Sequence, residues 1–451
     1  MAVSTAAHYS SGHAARRQWW RDGLEAAVYV VSATAVALVI AGGGFTILQP
    51  IDWLYSLGRS MGVVATVFML TQVLLAARAP FVEGAMGHDR AVALHTKVGK
   101  WAIILMIGHA ALIVWVSGVY DGRSVVGQGV AYFNQAWYLA AAQIGLGVFL
   151  VILATSLMIV RRAWRYEAWH AVHVSVYVAV ALVVPHQFLF GSTFVSRGVA
   201  FWFWVVLYVF AFGALIGFRV VRPLALLNHH QLRVESVTRL GDGSASVVIG
   251  GHHLDRLAPA PGQFFLWRFF APGMRLQAHP FSLSRQPDAS SLRITVKPSG
   301  DFSKALGDVA PGTRVLVEGP LGVFSEVTRT RPAAVLVAAG IGITPIRAML
   351  EVAHGPVDVI VRCSAKDQAP LLDEVREIAA ARGATLHVVA GPRGAGWASA
   401  AQAVTLKDLV PDVADRDVYV CGPREWALAV EADALAAGCA RESVHREEFA
   451  W

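Results

Sequence analysis

The chain has 451 residues, of which 55% are hydrophobic and only 15% charged, and its mean hydropathy is +0.51. Soluble domains carry about one-quarter charged residues, so part of this chain belongs in a bilayer. The net charge of +7 comes with no lysine- or arginine-rich run, which argues against a nucleic-acid surface; three cysteines without CxxC spacing (Cys363, Cys421 and Cys439) argue against a disulfide framework or zinc site and fit a reducing compartment.

Residues 1–22 hold a basic cluster and read as a cytoplasmic N-terminal segment. The apolar run that follows is too long for the core of a signal peptide, which marks it as a retained anchor. Six runs near 24–44, 58–77, 93–118, 136–160, 168–190 and 199–219 reach the roughly 20 residues that a spanning helix needs. They predict an all-α six-helix transmembrane bundle over residues 23–220. Arg16, Arg17 and Arg21 precede the first run, Arg78 and Arg90 separate the second from the third, Arg161, Arg162 and Arg165 the fourth from the fifth, and Arg219 and Arg222 follow the sixth. The positive-inside rule then puts the N-terminus and everything after residue 220 in the cytoplasm. Trp19, Trp20, Trp101, Trp137 and Trp169 read as interface belts.

Ionisable groups at membrane depth are functional candidates by default. His95 and His109 are fourteen residues apart on the third run, which brings them within roughly 40° of one another and about 21 Å apart along an ideal helix. The fifth run offers His170, His173 and His186. Two facing imidazole pairs could each ligate a haem iron axially; the alternative is a set of packing histidines bonded to backbone or hydroxyl groups. Periodicity does not choose between His170 and His173. On an ideal helix His173 and His186 point roughly 140° apart, so the fifth span must distort, and Pro185 is a candidate cause. His88 and His170 read as interfacial.

After residue 220 the pattern changes. Short alternating runs bounded by glycines predict an antiparallel β-barrel over 221–330. From 331 to 451, strands alternate with helices, the signature of an α/β doubly wound domain with ligands at the carboxyl edge of its sheet. "VLVAAGIGITPIRAML" places glycines between a buried strand and a helix, where backbone can approach a pyrophosphate; a tight helix-on-strand turn is the plainer explanation.

With these residues in hand the chain resembles the ferric reductase / NADPH oxidase superfamily, over nearly its whole length. The resemblance rests on the two histidine spacings and on "HPFSLS", "AGIGITP", "CGP" and an aromatic tail in that order. It implies that His95 and His173 ligate a cytoplasmic-side b haem and His109 and His186 an outer one, which resolves the choice against His170. His279, Pro280, Phe281 and Ser282 match the flavin motif, with Phe281 along the flavin and Ser282 at its N5. Lys297, Gly300, Phe302 and Ser303 match the FAD pyrophosphate site. Gly340, Gly342, Thr344 and Pro345 match the nicotinamide-dinucleotide motif, and Cys421, Gly422 and Pro423 the segment beside the nicotinamide, where Cys421 shapes the hydride site. Phe449, or Trp451 two residues on, matches the terminal aromatic that stacks on the isoalloxazine. Arg362 suits a ribose 2′-phosphate, favouring NADPH over NADH.

Two positions depart from the family pattern. Ala179 stands where an aromatic often lies between the haems, and Ile113 where some oxygen-reducing members carry histidine. The expected activity is therefore transfer of electrons from cytoplasmic NADPH through FAD and two haems to an outer acceptor, ferric chelates before oxygen. A periplasmic acceptor protein is the third possibility. The lipid bilayer and NADPH are the expected partners.

Overall fold

The computed structural model describes residues 11–156, 164, 166–195, 198–257, 259–365, 369–394 and 396–448. Phe449 and Trp451, and the basic residues Arg161, Arg162 and Arg165, lie outside these. The described residues form two compact units, one made of Trp20–Ala79 and Arg90–Gly217, the other containing Pro80–Asp89 and the chain from Phe218 onward.

Among the described residues, six helices are long and apolar enough to cross a membrane: Gln18–Ala41, Asp52–Ala76, Arg90–Tyr120, Trp137–Ser156, Ala168–Phe190 and Val199–His230. Their outward faces remain apolar, as the exposed Val151, Val178, Trp202 and Val206 show. Small residues set the closest approach. A Cβ on Gly145 of the fourth span would come within 2.8 Å of Val183 and 3.0 Å of the Ala179 carbonyl, so only glycine lets these two helices pack backbone to backbone. Ala179 is thus a fully buried contact of this close packing. A second cluster joins Ala35, Val39, Val63, Val67, Phe194 and Trp204, with the Phe194 and Trp204 rings stacked at 4.5 Å.

The distortion expected in the fifth span is present, but its main break is not at Pro185. The helix is interrupted at Ser175, which separates Tyr166–Val174 from Val176–Phe190; Pro185 sits inside the second piece. The Ser175 hydroxyl donates to the Val172 carbonyl at 2.6 Å, and its backbone N–H bonds the same oxygen in a tight i−3 turn. Such side-chain competition with the helical ladder is the ordinary cause of a local break.

The second unit begins with six strands: β1 (Arg233–Arg239), β2 (Ala245–Gly250), β3 (Phe264–Phe269), β4 (His279–Ser282), β5 (Ser291–Val296) and β6 (Val315–Leu321). They pair as two three-stranded antiparallel sheets, β1-β2-β5 and β4-β3-β6, rather than as one continuous ring. Isolated bridges at Arg233–Arg314 and Leu283–Ile294 join the two. Register shifts at Val234/Ser236 and Phe264/Leu266 interrupt the ladders, and such irregularities bend a strand out of its sheet. Strand β3 is buried on both faces. Phe265, Trp267 and Phe269 enter the main core while Phe264 and Leu266 pack on Leu321.

The remaining strands, β7 (Ala334–Ala339), β8 (Val357–Cys363), β9 (Thr385–Ala390), β10 (Asp417–Gly422) and β11 (Val444–Glu448), form a parallel sheet in the order β11-β10-β7-β8-β9. Every residue of β7 and β10 is buried, as expected of central parallel strands covered on both sides.

Candidate functional site

The four histidines meet in two pairs. The His95 and His173 ring centres are 6.2 Å apart and those of His109 and His186 are 6.5 Å apart. Metal–imidazole bonds of about 2 Å on either side of an ion would separate two ring centres by about 6 Å, so both gaps fit one ion. Among the described residues no group of three or more His, Cys, Asp or Glu could hold a metal. Each pair therefore offers two imidazole ligands to an ion.

Three of these rings are oriented by backbone. His109 Nδ1 donates to the Gly58 carbonyl at 2.8 Å, and His186 Nδ1 to that of Val183; His95 bonds the Gln72 backbone. A bond at Nδ1 fixes the tautomer and leaves Nε2 as the donor to a metal. A Cβ on Gly62 would lie 2.6 Å from His109 Nδ1, so the ring rests directly on the second span. His173 is held by aromatic contact, its ring stacked on Trp169 at 5.0 Å. The other four tryptophans expected at the interfaces are exposed, but Trp169 is half-buried against this ligand candidate. His170 is exposed.

His88, read as interfacial, does not face outward. It is buried, with Nδ1 3.0 Å from Glu83 Oε1 and its ring edge-on to Phe264 at 5.7 Å. A single histidine at a run's edge carries no sequence signal for such a contact, because its partner, Phe264, is 176 residues away.

On the flavin side, Ser282 pairs with Phe264 across β4 and β3. Its hydroxyl is buried and finds no partner among the described residues, so its bonding capacity is open to a ligand atom. Phe302 lies 4.0 Å from the His279 ring and 6.3 Å from that of Phe281, so these three form one aromatic stack. Pro280 occupies the strand between His279 and Phe281. The pyrophosphate candidates are more mixed. Lys297 and Gly300 are exposed, and Ser303 already accepts the Ser299 and Gly300 N–H groups at 2.9 Å each, capping its own short helix.

The nucleotide motif is built around close backbone contact. Gly340 has φ +56° with open space where a Cβ would point. Gly342 is different: a Cβ there would lie 2.8 Å from the Gly422 nitrogen and closer still to the Cys421 carbonyl. Thr344 donates to the Ile341 carbonyl at 3.0 Å, and Thr344 and Pro345 are both buried at the start of helix Ile343–Val352. Pro423, exposed, opens the helix Arg424–Ala436. Arg362 is buried, not solvated, and donates to the Cys363 carbonyl.

Cys421 is fully buried. Burial, and after it the charge of Glu447, pushes its thiol well above the ordinary range, so it is a neutral packing group with no nucleophilic character. Glu447 pairs with it across β10 and β11. Glu447 Oε1 also approaches to 3.5 Å of where a Gly322 Cβ would be, and Phe264 lines the same point. Ser282, Phe264, Gly322, Glu447 and Cys421 thus share one neighbourhood. Glu447 was not a candidate in the sequence; its signal was an acidic residue with inward strand phase in "HREEF". A second group missed by motif reading ties the nucleotide helix to the segment after Ser282. Arg293 and Arg347 donate to the Ser284 carbonyl at 2.9 and 3.1 Å and both pair with Glu374. Burial alone would raise the Glu374 carboxyl, but hydrogen bonds and charge from Arg293 and Arg347 outweigh it and hold the group below its ordinary value.

Comparison with known proteins meets this arrangement at both ends. Residues 61–184 match the family model described as ferric reductase like transmembrane component, and residues 336–432 match the oxidoreductase NAD-binding domain. Its architecture is that of the ferric reductase and NADPH oxidase superfamily. The chain thus carries a ferric-reductase-like transmembrane part followed by an oxidoreductase NAD-binding domain. Among curated relatives, the ferredoxin reductase component of 3-ketosteroid-9-alpha-monooxygenase from Mycolicibacterium smegmatis is 32% identical over 207 residues, 43% of this chain and 57% of that one. The component of the same name from Mycobacterium tuberculosis is 35% identical over 206 residues, 43% of this chain and 56% of the relative. The chain thus spans little more than half the length of these relatives. Among solved structures, the FAD/NAD-binding domain of nitric oxide dioxygenase from Vibrio cholerae aligns with 24% identity and a TM-score of 0.41, covering 48% of this chain and 98% of that domain.

Proposed function

We propose that this chain carries electrons from cytoplasmic NADPH through FAD and two b haems to an acceptor at the opposite face of the membrane, with ferric chelates the preferred acceptor. The observation that carries the reading is the pair of facing imidazole couples on the third and fifth spans, each with a gap suited to one iron. FAD, when bound, converts a two-electron hydride into single electrons, and bis-histidine haems accept them one at a time.

The chain's own residues supply position. His95 and His173 would hold the cytoplasmic-side haem and His109 and His186 the outer one. Ser282 would offer its hydroxyl to the flavin N5, with Phe281 alongside the ring system and Phe449 or Trp451 covering it. Gly340 and Gly342 bring the backbone to the NADPH pyrophosphate at a helix N-terminus, Thr344 and Pro345 cap that turn, and Cys421, Gly422 and Pro423 line the nicotinamide. The preference for NADPH over NADH rests on the residue type at Arg362, a guanidinium suited to a 2′-phosphate that would have to leave its buried bond to the Cys363 carbonyl to reach one. Basic residues before the first span and after the sixth support the cytoplasmic placement of the N-terminus and the FAD/NADPH module. His109 and His186 together would leave an outer haem no ligand position for the acceptor, which would then be reduced without binding the iron, and Ile113 in place of a histidine favours an iron chelate over oxygen.

A second reading has its own support. The curated relatives are named as reductase components of monooxygenases, which favours a separate protein as the acceptor. The deciding experiment is an anaerobic absorption spectrum of the purified, FAD-loaded protein before and after NADPH, followed by acceptor trials. Sharp bis-histidine bands on reduction, and turnover with ferric citrate, are expected. Flavin bleaching without any haem band refutes the transmembrane route. Rapid oxygen uptake without iron makes the chain an oxidase, and sluggish turnover with both acceptors points to the partner protein.

A further inference from the structure

One hydrogen-bonded chain crosses three spans beside the outer histidine pair. Tyr208 of the sixth span donates its hydroxyl to Gln187 Oε1 of the fifth at 2.5 Å. Gln187 Nε2 donates to the Thr66 hydroxyl of the second span at 3.2 Å, and Thr66 in turn donates to the Gly62 carbonyl at 3.0 Å. Gln187 and Thr66 are buried. Every donor in the sequence has an acceptor, as an apolar surrounding demands.

Two members of this chain adjoin the supports of the outer pair. Gln187 is the residue after His186. Gly62 is the residue on which the His109 ring rests, with no room for a Cβ between them. The Val183 carbonyl orients the His186 ring, but next to it the fifth span lacks one bond of its helical ladder, because Pro185 provides no backbone N–H. A side chain that anchors Gln187 to two other helices makes good that loss.

We propose that Tyr208, Gln187 and Thr66 are positioning residues that set the ring geometry and the reduction potential of the outer site formed by His109 and His186, leaving the inner site formed by His95 and His173 untouched. The inference rests on the bis-histidine reading above. It differs from general helix-to-helix adhesion, which would affect the bundle, and so both sites, alike.

The two sites are distinguishable spectroscopically because their rings differ in mutual tilt, 33° for the outer pair and 61° for the inner. More parallel imidazoles give the more rhombic low-spin signal. The test is electron paramagnetic resonance and a potentiometric titration of the haem-loaded full chain, in Tyr208→Phe, Gln187→Met, Thr66→Val and Thr66→Ser. The first three are expected to shift the more rhombic signal and one of the two midpoint potentials while the other signal and potential stay at native values, with haem content per protein retained. Thr66→Ser, which keeps the hydroxyl, is expected to behave as native. The proposal is overturned if the three variants leave both signals unchanged, or if they move both together. A native protein without two bis-histidine signals overturns the underlying reading itself, an outcome visible before any variant is made.

Discussion

Replacing Gly342 by alanine separates two reasons for which a glycine can be required. Its backbone is ordinary right-handed helix, with φ −59°, so no conformational penalty attaches to alanine there. The obstruction is steric: the added carbon meets Cys421 and Gly422 backbone atoms at 2.8 Å or less, where ordinary contacts begin at 3.4 Å. No rotamer relieves a clash with main chain. β10 cannot retreat either, since β7 and β11 hydrogen-bond it on both sides. The glycine turn must therefore move outward by roughly 1 Å, and a displacement of about that size in a positioning element costs on the order of 100-fold in rate. Overpacking adds a stability loss of about 1–3 kcal/mol. Stopped-flow bleaching of the flavin by NADPH, with dithionite as a control that bypasses the nucleotide site, reads the effect. Gly342→Ala should lose on the order of 100-fold in NADPH-driven reduction with dithionite reduction unchanged. Gly340→Ala, which has open space but a left-handed backbone, should instead pay about 1–2 kcal/mol of strain, and Gly340→Asn less. Reduction of the Gly342→Ala flavin within a few-fold of native would refute the backbone-contact argument.

Three further outcomes are expected. His109→Leu should lower the haem content measured as pyridine haemochrome to about half of native by emptying one of the two proposed bis-histidine sites, whereas His170→Leu should leave it unchanged. Asp417→Ala should destabilise the nucleotide-binding part of the chain by about 3 kcal/mol or more in denaturant titration, because fully buried Asp417 accepts the Thr330 N–H and hydroxyl at 2.7 and 2.9 Å and lies 2.9 Å from His445 Nε2; a variant as stable as native would show those groups finding other partners. The Cys421 thiol, raised by burial and then by Glu447, should resist iodoacetamide in the folded chain at about pH 8.5 and react once the chain is unfolded. The sign follows from the raised value: the contribution to stability is fully present below the ordinary thiol range and is lost as pH climbs through the native value. Rapid labelling of native Cys421 would contradict it.

The architecture was legible because its signals are long and periodic. Six apolar runs, a change to short alternating strands and then a strand–helix rhythm each extend over many residues, and burial enforces them. The imidazole pairs were legible for a related reason, since spacing on two helices encodes depth. What escaped were features resting on one residue's local choice or on a distant partner. Ser175 breaks the fifth span through a hydroxyl that looks like any other, and drew less notice than Pro185. His88 is buried in part against Phe264, far along the chain. The network of Arg293, Arg347 and Glu374 joins a strand to two helices that no motif links.

The orientation of the ligand candidates has a consequence for inheritance. His95 and His109 find acceptors at Gln72 and Gly58 of the second span, fourteen residues apart like the histidines themselves. Both acceptors are carbonyl oxygens of the main chain, and a main-chain oxygen has no codon of its own. Point mutation can alter the side chains at these two positions without deleting the acceptor, and no compensating partner is ever selected to covary with the histidine. A saturation library across the second span should therefore tolerate varied side chains at 72 while rejecting changes that bend or shift the helix, such as proline at 76, which would displace the carbonyl itself. Drift in side-chain composition can proceed here while the imidazoles keep their aim.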